Sequence, residues 1–349
     1  MRKLLNTLYI TNEKAFLSLD GENIVCKVEE ENKFRIPFDN VEGIVCFSYL
    51  GCSPALMGKC VEKNVPINFM SPNGKFLAKV FGETKGNVFL RISQIDKFRE
   101  EGISLAQNTM ASKFCNTIKL IKRTLHDNSN LREDKSIINT LDILKNGIDS
   151  VYNANSIEEI VGIEGNCAKA YFSIFNKLLT NKSVKFESRT KRPPLDCVNA
   201  TLSFVYTLLT NEYAAALETV GLDSYIGFCH KLRSGRVSLA CDLIEETRAV
   251  VDRFVITLFN LKVLTEKDFE KQVSGAVLLN DDGRKKVITK WQEKKRSEIV
   301  HPYLNEKIMF GLLPYVNDKI RMYKKWKIKM YKKEHFIFYK LYILFVILK

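Results

Sequence analysis

The chain has 349 residues, 46% of them hydrophobic and 27% charged, with a formal net charge of +14 at pH 7. A chain of this length usually exceeds what one hydrophobic core supports, so we expect two domains. The excess of positive charge favours a polyanionic partner, either nucleic acid or an anionic membrane surface.

The nine cysteines are odd in number and include no Cys-x-x-Cys pair, and the first residues, MRKLLNTLYI, contain no secretory hydrophobic region. Thiolate zinc sites use closely spaced cysteine pairs, so this spacing argues against a structural zinc site. We therefore predict free thiols and a location in a reducing cytoplasm.

Residues 1–88 alternate short β-prone runs with turn signals, which is typical of a small β-sandwich. The segment SPALMGKCVEKN predicts a short helix among these strands, with Ser53 as its N-cap and Pro54 at its first position. The predicted hairpin turns are Asn12-Glu13, Asp20-Gly21, Glu31-Asn32 and Asn73-Gly74.

The hydrophobic period changes from two to 3.6 after the polar, glycine-bearing segment GETKGNVFLRISQ, and we predict a hinge at 89–97. From 98 to 316 the periodic apolar runs predict an all-α domain. One helix should begin at a capping box formed by Ser156 and Glu159. The segment SVKFESRTKRPPLD is a predicted loop because its two prolines cannot continue a helix. SLACDLIEETRAVVDRFVITLFNLKVL predicts one long helix. The predicted fold is α+β with two domains, a β-sandwich followed by helices.

The tail over 317–349 has nine lysines and one arginine against two acids, so it carries +8 of the net charge. Its apolar run, FIFYKLYILFVIL, is too short to cross a bilayer, which needs about 20 residues, so we predict no stable membrane span. Two interpretations are open, a basic helix on a membrane surface and an out-of-frame or drifted sequence.

The segment GFCHKLRSGRVSLACDLIEE has the apolar spacing of a buried helix and yet contains three good metal ligands, His230, Asp242 and Glu245. Ser234 and Gly235 predict a turn, after which the two acids lie three residues apart on one helix face. Their repulsion is relieved by a cation or by a raised pKa. Imidazole and carboxylate donors suit Mg²⁺ or Mn²⁺. The alternative is a satisfied buried histidine and a solvated acidic face.

Glu164 is a further candidate ligand. In VGIEGNCAKAYF it lies between two glycines at the start of an apolar helix, where backbone and ligand can approach closely. The alternative is an acid that interacts with the positive end of the helix dipole.

Three motifs occur in the order GIEGNCAKAYF, RTKRPPLDCVNATLSFVY and GFCHKLRSGRVSLACDLIEETR. Together they resemble the CRISPR-associated adaptation integrases, the Cas1 family, over most of the chain up to about Val316. GNVFLRISQ fits the family as well, and NDDGRKKVITKWQEKKRSEIVHPYLNEKIMFGLLPYV resembles its type I-C branch. The tail departs from the family pattern.

The resemblance implies a helical catalytic domain and the activity of a divalent-metal-dependent DNA endonuclease and integrase of antiviral defence. Such a protein inserts spacer DNA into the CRISPR array by attack of a 3′-hydroxyl on a phosphodiester. Carried over residue by residue, the metal ligands are Glu164, His230 and Glu245, with Asp242 as a second catalytic acid beside them. The implied cofactor is Mg²⁺ or Mn²⁺.

The implied partners are double-stranded DNA, as spacer precursor and as leader–repeat, and a second copy of the chain joined through the N-terminal domains. The small ferredoxin-like protein Cas2 is a further implied partner, and type I-C systems usually add a Cas4 nuclease.

Seven basic side chains in the proline loop or beside the metal acids are candidates for contacts with DNA phosphates, and such contacts weaken with salt. The alternative for each is a solvated or carboxylate-paired side chain, and Arg248 has Glu245 and Asp252 within reach on its helix. Tyr206 is expected to be a core residue rather than a base-stacking one. The seven candidates are Arg189, Lys191, Arg192, Lys231, Arg233, Arg236 and Arg248.

Two other functions remain open. One is a catalytically impaired DNA-binding scaffold of the adaptation complex, disabled by its tail. The other is a basic peripheral membrane protein.

Overall fold

The computed structural model of the protein describes residues 7–29, 31–71, 76–80, 82, 88–301 and 306–311. The tail over 317–349 and the predicted turn at Asn73-Gly74 lie outside these residues. The described chain divides into two compact units. The first contains the described residues up to 82 together with 266–298 and 309–311, and the second contains the described residues of 88–265 and 299–308.

The N-terminal part of the first unit consists of two sheets and one helix that share a core. Leu17 and Ile24 from one sheet, Ile44 and Ile67 from the other, and Leu56 from the helix are all fully buried there. The elements are β1 (Thr7–Ile10), β2 (Ala15–Asp20), β3 (Asn23–Val28), β4 (Glu31–Pro37), β5 (Gly43–Cys46), α1 (Pro54–Glu62), β6 (Ile67–Met70) and β7 (Phe76–Val80). One sheet has the order β1-β5-β6-β7 and the other β2-β3-β4.

The predicted Asp20-Gly21 turn and Ser53 helix cap are confirmed, and in both the hydrogen-bonded residues are close together in the sequence. Asp20 pairs with Asn23 across the β2–β3 hairpin, and Gly21 has a positive φ of 56°, which favours glycine. The Ser53 hydroxyl accepts a hydrogen bond from the amide of Leu56 at 3.3 Å, so Ser53 caps α1 with Pro54 as its first residue.

Two hairpin predictions need correction. Asn12-Glu13 does not join a hairpin, because β1 pairs in parallel with β5 whereas β2 pairs with β3 in the other sheet. The chain thus changes sheets at this point, which lets both strands bury one face in the shared core. The β3–β4 hairpin exists, but Val28 pairs with Glu31, so its turn precedes Glu31-Asn32.

The segment 266–298 belongs to the first unit, although the sequence analysis includes it in the helical domain. It contains β8 (Phe269–Lys271), β9 (Val277–Leu279) and α8 (Asp281–Arg296). Nη2 of Arg284 lies 3.3 Å from Oε1 of Glu13, and Nζ of Lys295 lies 5.8 Å from the ring centroid of Tyr9. Trp291 is fully buried. These non-local contacts attach α8 to the N-terminal strands.

The second unit is helical, which confirms the predicted α+β class with N-terminal sheets and C-terminal helices. Its helices are α2 (Val88–Asp127), α3 (Lys135–Asn153), α4 (Ile157–Leu178), α5 (Cys197–Thr219), α6 (Ser238–Ile244) and α7 (Arg248–Asn260). Two short strands, β10 (Glu298–His301) and β11 (Glu306–Met309), pair with each other. Within the described chain, every helix is too short or too polar to cross a bilayer, and each of the nine cysteines is a free thiol.

The residues predicted as a hinge, 89–97, are instead the first turns of α2. Their polar character has a structural use, because the buried side chain of Gln94 holds a distant loop. Its Nε2 donates to the carbonyls of Asp223 at 2.9 Å and Ile226 at 3.0 Å, and its Oε1 accepts from the Asp223 amide at 3.0 Å. From the sequence alone, a polar side chain that bonds a distant loop cannot be distinguished from a polar residue of a linker.

The predicted cap at the start of α4 is present, with its reciprocal bond shifted by one residue, from Ser156 to Asn155. The amide of Glu159 donates to the Ser156 hydroxyl at 3.2 Å, and the Glu159 carboxylate accepts from the amide of Asn155 at 2.7 Å. This cap fixes the beginning of the helix that carries Glu164.

Candidate metal centre

The segment with the three predicted ligands is not one helix. Residues 227–236 form a loop, the predicted turn at Ser234-Gly235 is confirmed by a 3.1 Å hydrogen bond from the Arg236 amide to the Arg233 carbonyl, and α6 begins at Ser238. A 3₁₀ turn, Glu245–Thr247, then separates α6 from α7, so the predicted single helix is broken there. Asp242 therefore belongs to α6, whereas Glu245 is the first residue of the 3₁₀ turn.

Asp242 is fully buried and serves the loop before it. Its Oδ2 accepts the amides of Phe228 at 2.7 Å and Cys229 at 3.0 Å, and its Oδ1 accepts the amide of His230 at 2.9 Å. Oδ1 also lies 2.5 Å from Nδ1 of His230. With all these donors, Asp242 orients the imidazole rather than facing a shared cation with Glu245, and Nε2 is the ring nitrogen left for an outside ligand.

A close backbone approach makes this arrangement possible. A Cβ at Gly227 would lie 2.5 Å from Oδ2 of Asp242 and 2.8 Å from the carbonyl carbon of Ser238. Glycine is required here because any side chain would displace the carboxylate from the loop amides.

The two remaining carboxylates meet at a lysine. Nζ of Lys113, on α2, contacts Oε1 of Glu164 and lies 2.6 Å from Oε2 of Glu245. The side chains of Lys113 and Glu245 are 11% and 4% exposed, so this pairing takes place largely out of solvent. Burial lowers the pKa of the Lys113 ammonium, but attraction to Glu245 and Glu164 outweighs burial and raises it overall.

Arg248 supports Glu245 from the other side. Its Nε lies 3.3 Å from Oε1 of Glu245, which matches one of the two pairings considered from the sequence. Burial alone would raise the pKa of Glu245, but Arg248 and Lys113 lower it to about 2, with a smaller contribution from His230. Glu245 is therefore ionised at neutral pH, and His230 is close enough to influence its charge.

Tyr206 is a buried residue of this framework, as expected. Its hydroxyl donates to the carboxylate of Asp252, and its ring lies 4.7 Å from the guanidinium carbon of Arg248. Burial raises the pKa of both Tyr206 and Asp252. The ring and the ion pair together fix the position of Arg248 beside Glu245.

The donor set of Glu164, Glu245 and His230 fits a divalent cation such as Mg²⁺ or Mn²⁺. Oε2 of Glu245 is buried, and Lys113 approaches it at an angle that makes no regular hydrogen bond, so this oxygen retains a lone pair for a cation. In the ranges that the structure describes, no three His, Cys, Asp or Glu side chains are already arranged around one ion position. The Lys113 ammonium lies between the carboxylates of Glu164 and Glu245.

The predicted DNA contacts differ in their surroundings. Arg189 is engaged inside the protein: its guanidinium donates to the Thr190 carbonyl at 2.6 Å, to Oδ1 of Asn199 at 2.7 Å and to the Ser203 hydroxyl at 3.1 Å. Burial lowers the pKa of Arg189. These hydrogen bonds hold the proline loop on α5, so this arginine has a structural use.

The other candidates present their charge nearer the surface. Lys191 and Arg192 are exposed in the proline loop, and the pKa of Lys191 is lowered by partial desolvation and then by repulsion from Arg248 and Arg189. This repulsion indicates that Lys191 lies near Arg248, and therefore near the candidate metal ligand Glu245. Lys231 and Arg233 are exposed and Arg236 is half-buried in the loop and turn after His230, and Nζ of Lys231 lies 4.0 Å from Oε1 of Glu158.

Lys113 was missed as a site residue by sequence reasoning, which noted it only as one basic residue of its helix. Thr109, Met110 and Thr117, three or four residues away along α2, are all buried. A lone lysine within such a buried stripe was the available signal, because an unpaired buried ammonium is costly.

Comparison with known proteins agrees with this architecture. The family described as CRISPR associated protein Cas1 matches residues 8–293. The CRISPR-associated endonuclease Cas1 1 of Chlorobaculum tepidum is 41% identical over 90% of this chain and 93% of its own length. The endonuclease of the same description from Moorella thermoacetica is 38% identical over 92% of this chain and 95% of its own. A Cas4 exonuclease/Cas1 endonuclease fusion of Geobacter sulfurreducens is 30% identical over 90% of this chain and 57% of its own.

Three solved structures have a similar fold. A casposase bound to integration product has a TM-score of 0.78 at 21% identity, covering 90% of this chain and 89% of its own. A Cas1 protein from Thermotoga maritima has a TM-score of 0.73 at 25% identity, covering 83% and 89%. A chain of a Cas6-RT-Cas1–Cas2 complex has a TM-score of 0.77 at 20% identity, covering 92% and 35%.

The chain therefore has a two-sheet N-terminal unit, a helical unit and a histidine–carboxylate site. Its sequence is also 41% and 38% identical to two of the endonucleases above. The chain belongs to the Cas1 family of CRISPR-associated proteins, which confirms the resemblance drawn from the three motifs.

Proposed function

We propose that the protein is a divalent-metal-dependent DNA endonuclease and integrase of CRISPR adaptation, in the type I-C branch. One observation carries the proposal: the carboxylates of Glu164 and Glu245 share the ammonium of Lys113, and a histidine oriented by a buried aspartate is close enough to Glu245 to lower its pKa. The designation of the curated relatives as endonucleases supports a phosphodiester substrate.

In this proposal Glu164, Glu245 and Nε2 of His230 hold the cation. When bound, the cation supplies Lewis-acid activation of a water or 3′-hydroxyl and neutralises charge on the phosphate oxygens. Asp242 keeps the proton on Nδ1 of His230, so Nε2 presents its lone pair. Arg248 keeps Glu245 ionised and fixed. The protein side chains thus contribute by positioning the reacting groups and by supplying charge. A Ser or Cys nucleophile is not needed.

Double-stranded DNA, as spacer precursor and as leader–repeat, is the proposed substrate. The exposed cations Lys191, Arg192, Lys231 and Arg233, with Arg236 beside them, are proposed to contact its phosphates. Each phosphate contact releases counterions, so affinity should fall steeply as salt is raised.

The proposed partners are a second copy of the chain through the N-terminal units, and Cas2. The similarity to a chain from a complex described as containing Cas1 and Cas2 supports the second partner, and the fused Cas4 of one relative supports a Cas4 nuclease as a further one. The catalytic role is assigned to the helical unit, which contains every candidate ligand. Cytoplasmic location is part of the same proposal.

The testing experiment is strand transfer of a labelled duplex with 3′-hydroxyl ends into a supercoiled plasmid that carries a CRISPR leader and repeat. It is run with the Cas2 partner and Mn²⁺, with EDTA, and with Glu164→Ala and His230→Ala. A matched control is Glu158→Ala, because Glu158 is on the same helix but its side chain is 71% exposed. Joining that requires metal and is lost in the two site variants is expected, whereas normal joining by His230→Ala would refute the site.

A second candidate is a DNA-binding scaffold without catalysis. The Lys113 ammonium favours it, since it forms an ion pair with both carboxylates without a metal. Clean DNA binding with no joining in any lane of the same experiment would support the scaffold. Co-sedimentation with anionic vesicles, with and without 317–349, tests the membrane alternative.

A further inference from the structure

Lys113 occupies a position that a metal-binding site normally reserves for the metal. Its side chain leaves the buried face of α2 and ends between Glu164 of α4 and Glu245 of the 3₁₀ turn. Phe114 and Met110 on α2 are 1% and 2% exposed, so the helix backbone at Lys113 is held by the core. The ammonium can leave the gap only by rotation of its own side chain.

The ammonium and a divalent cation exclude each other at this place. A cation at the usual metal–oxygen distance of about 2.1 Å from both carboxylates would lie in or immediately beside the gap that holds Nζ. Two positive centres so close together, with little water between them, repel strongly. The carboxylates therefore interact either with Lys113 or with the metal.

We propose that Lys113 is an internal competitor for the metal: it holds Glu164 and Glu245 together in the metal-free protein and is displaced when a divalent cation binds. This inference rests on the proposed metal-dependent function and adds a positioning residue to that site. Without Lys113, the two carboxylates would repel each other in a largely dry environment. With it, the metal-free site stays folded, at the expense of metal affinity.

Competition by Lys113 should raise the apparent dissociation constant for the metal. When only a fraction of molecules is competent to bind, the apparent dissociation constant rises by the inverse of that fraction. If Lys113 remains in the gap in nine molecules of ten, its removal tightens metal binding about tenfold. The removal also leaves Glu164 and the buried Glu245 close together in the metal-free protein, with Arg248 still paired with Glu245, so stability and metal affinity should move in opposite directions.

The experiment measures Mn²⁺ binding by isothermal titration calorimetry and thermal unfolding in EDTA and in Mn²⁺, on the full chain. Lys113→Met, which keeps an unbranched side chain one atom shorter and removes its charge, should bind Mn²⁺ about tenfold more tightly than the unaltered protein. It should also unfold at a lower temperature in EDTA and gain more from Mn²⁺. Lys113→Arg keeps the charge and should bind Mn²⁺ no more tightly than the unaltered protein.

Lys119→Met is the matched control, because Lys119 is an exposed lysine on the same helix. It should leave the Mn²⁺ dissociation constant unchanged, and an equal tightening in this variant would refute a local competition. If Lys113→Met does not fold in EDTA, Lys113→Gln replaces it, since its amide can still hydrogen-bond to the carboxylates without a charge. Equal or weaker Mn²⁺ binding by the uncharged variant overturns the proposal.

Glu245→Gln separates this inference from the proposed function. Loss of Mn²⁺ binding in Glu245→Gln, with no tightening in Lys113→Met, would leave the metal site intact and refute the competition alone. Unchanged Mn²⁺ binding in Glu245→Gln would refute the metal site itself and the competition with it.

Discussion

Asp242→Asn tests the role assigned to the buried aspartate. Asp242 accepts four donors: the amides of Phe228, Cys229 and His230, and Nδ1 of His230. Asparagine has the same shape but one acceptor oxygen, so in either amide orientation two donors face an NH₂ group. Each buried donor left without an acceptor costs about 1–3 kcal/mol, so for two donors we expect a loss of about 2–6 kcal/mol in the free energy of unfolding.

The same substitution should weaken metal binding. With its oxygen toward Phe228 and Cys229, the asparagine presents NH₂ to the imidazole, which then needs its proton on Nε2 and loses the lone pair for the metal. Loss of such an outer-shell partner typically weakens metal affinity about 10–100-fold.

The assays are urea unfolding in EDTA and Mn²⁺ titration of the folded protein. Asp223→Asn is the control, because the Asp223 carboxylate accepts a single 2.9 Å bond from the Tyr225 amide, which an asparagine oxygen can replace. A stability change in Asp242→Asn no larger than in Asp223→Asn, with unchanged Mn²⁺ affinity, would refute the orienting role.

Three further predictions concern the same framework. Gly227→Ala should destabilise the protein by about 1–3 kcal/mol in urea unfolding, because its Cβ would overlap the Asp242 carboxylate at 2.5 Å. The folded-state pKa of Glu245, about 2, lies below its ordinary value of 4.5. Its ionised form therefore stabilises the protein above about pH 4.5, and this stabilisation is lost as pH falls toward 2. In Glu245→Gln, the change in the free energy of unfolding over this pH range should be smaller by up to about 3 kcal/mol. Lys191→Ala should reduce the slope of log affinity for DNA against log salt by about 1 without changing stability, whereas Arg189→Ala should lower stability, since its guanidinium has three internal acceptors.

Each of these has a matched comparison. Gly165→Ala, at an open position on α4, should be neutral or stabilising, because a Cβ there meets nothing within 4 Å. Glu158→Gln should change the free energy of unfolding by less than about 1 kcal/mol, since its carboxylate is 71% exposed and an exposed ion pair contributes little. A salt slope that falls for Arg189→Ala but not for Lys191→Ala would reverse the assignment of the two loop cations.

The features that the sequence predicts correctly rest on partners only a few residues apart. The Ser53 cap, the Ser156–Glu159 cap and the Asp20-Gly21 turn each satisfy backbone groups within their own segment. Local hydrogen bonds of this kind depend on residue type and spacing, which a single sequence contains. The two-domain α+β class followed from the change of hydrophobic period, and the family followed from three ordered motifs.

The features that the sequence does not predict rest on partners far apart in the chain. The parallel pairing of β1 with β5, the attachment of α8 to the N-terminal strands and the hold of Gln94 on the loop before His230 all depend on how segments pack. A polar residue in a linker and one in a buried network have the same letter code, so spacing does not distinguish them.

The sequence by itself determined which side chains could bind a cation: one histidine and several acids in motifs of recognisable order. The tertiary structure decided the position and the partners of each of these side chains. It directed Asp242 to four donors, placed the buried Glu245 at the start of a 3₁₀ turn, and brought Lys113, 51 residues before Glu164, between the carboxylates of Glu164 and Glu245. The physical reason is that burial makes each charge require a partner, and only the packed helices determine which partner is within reach.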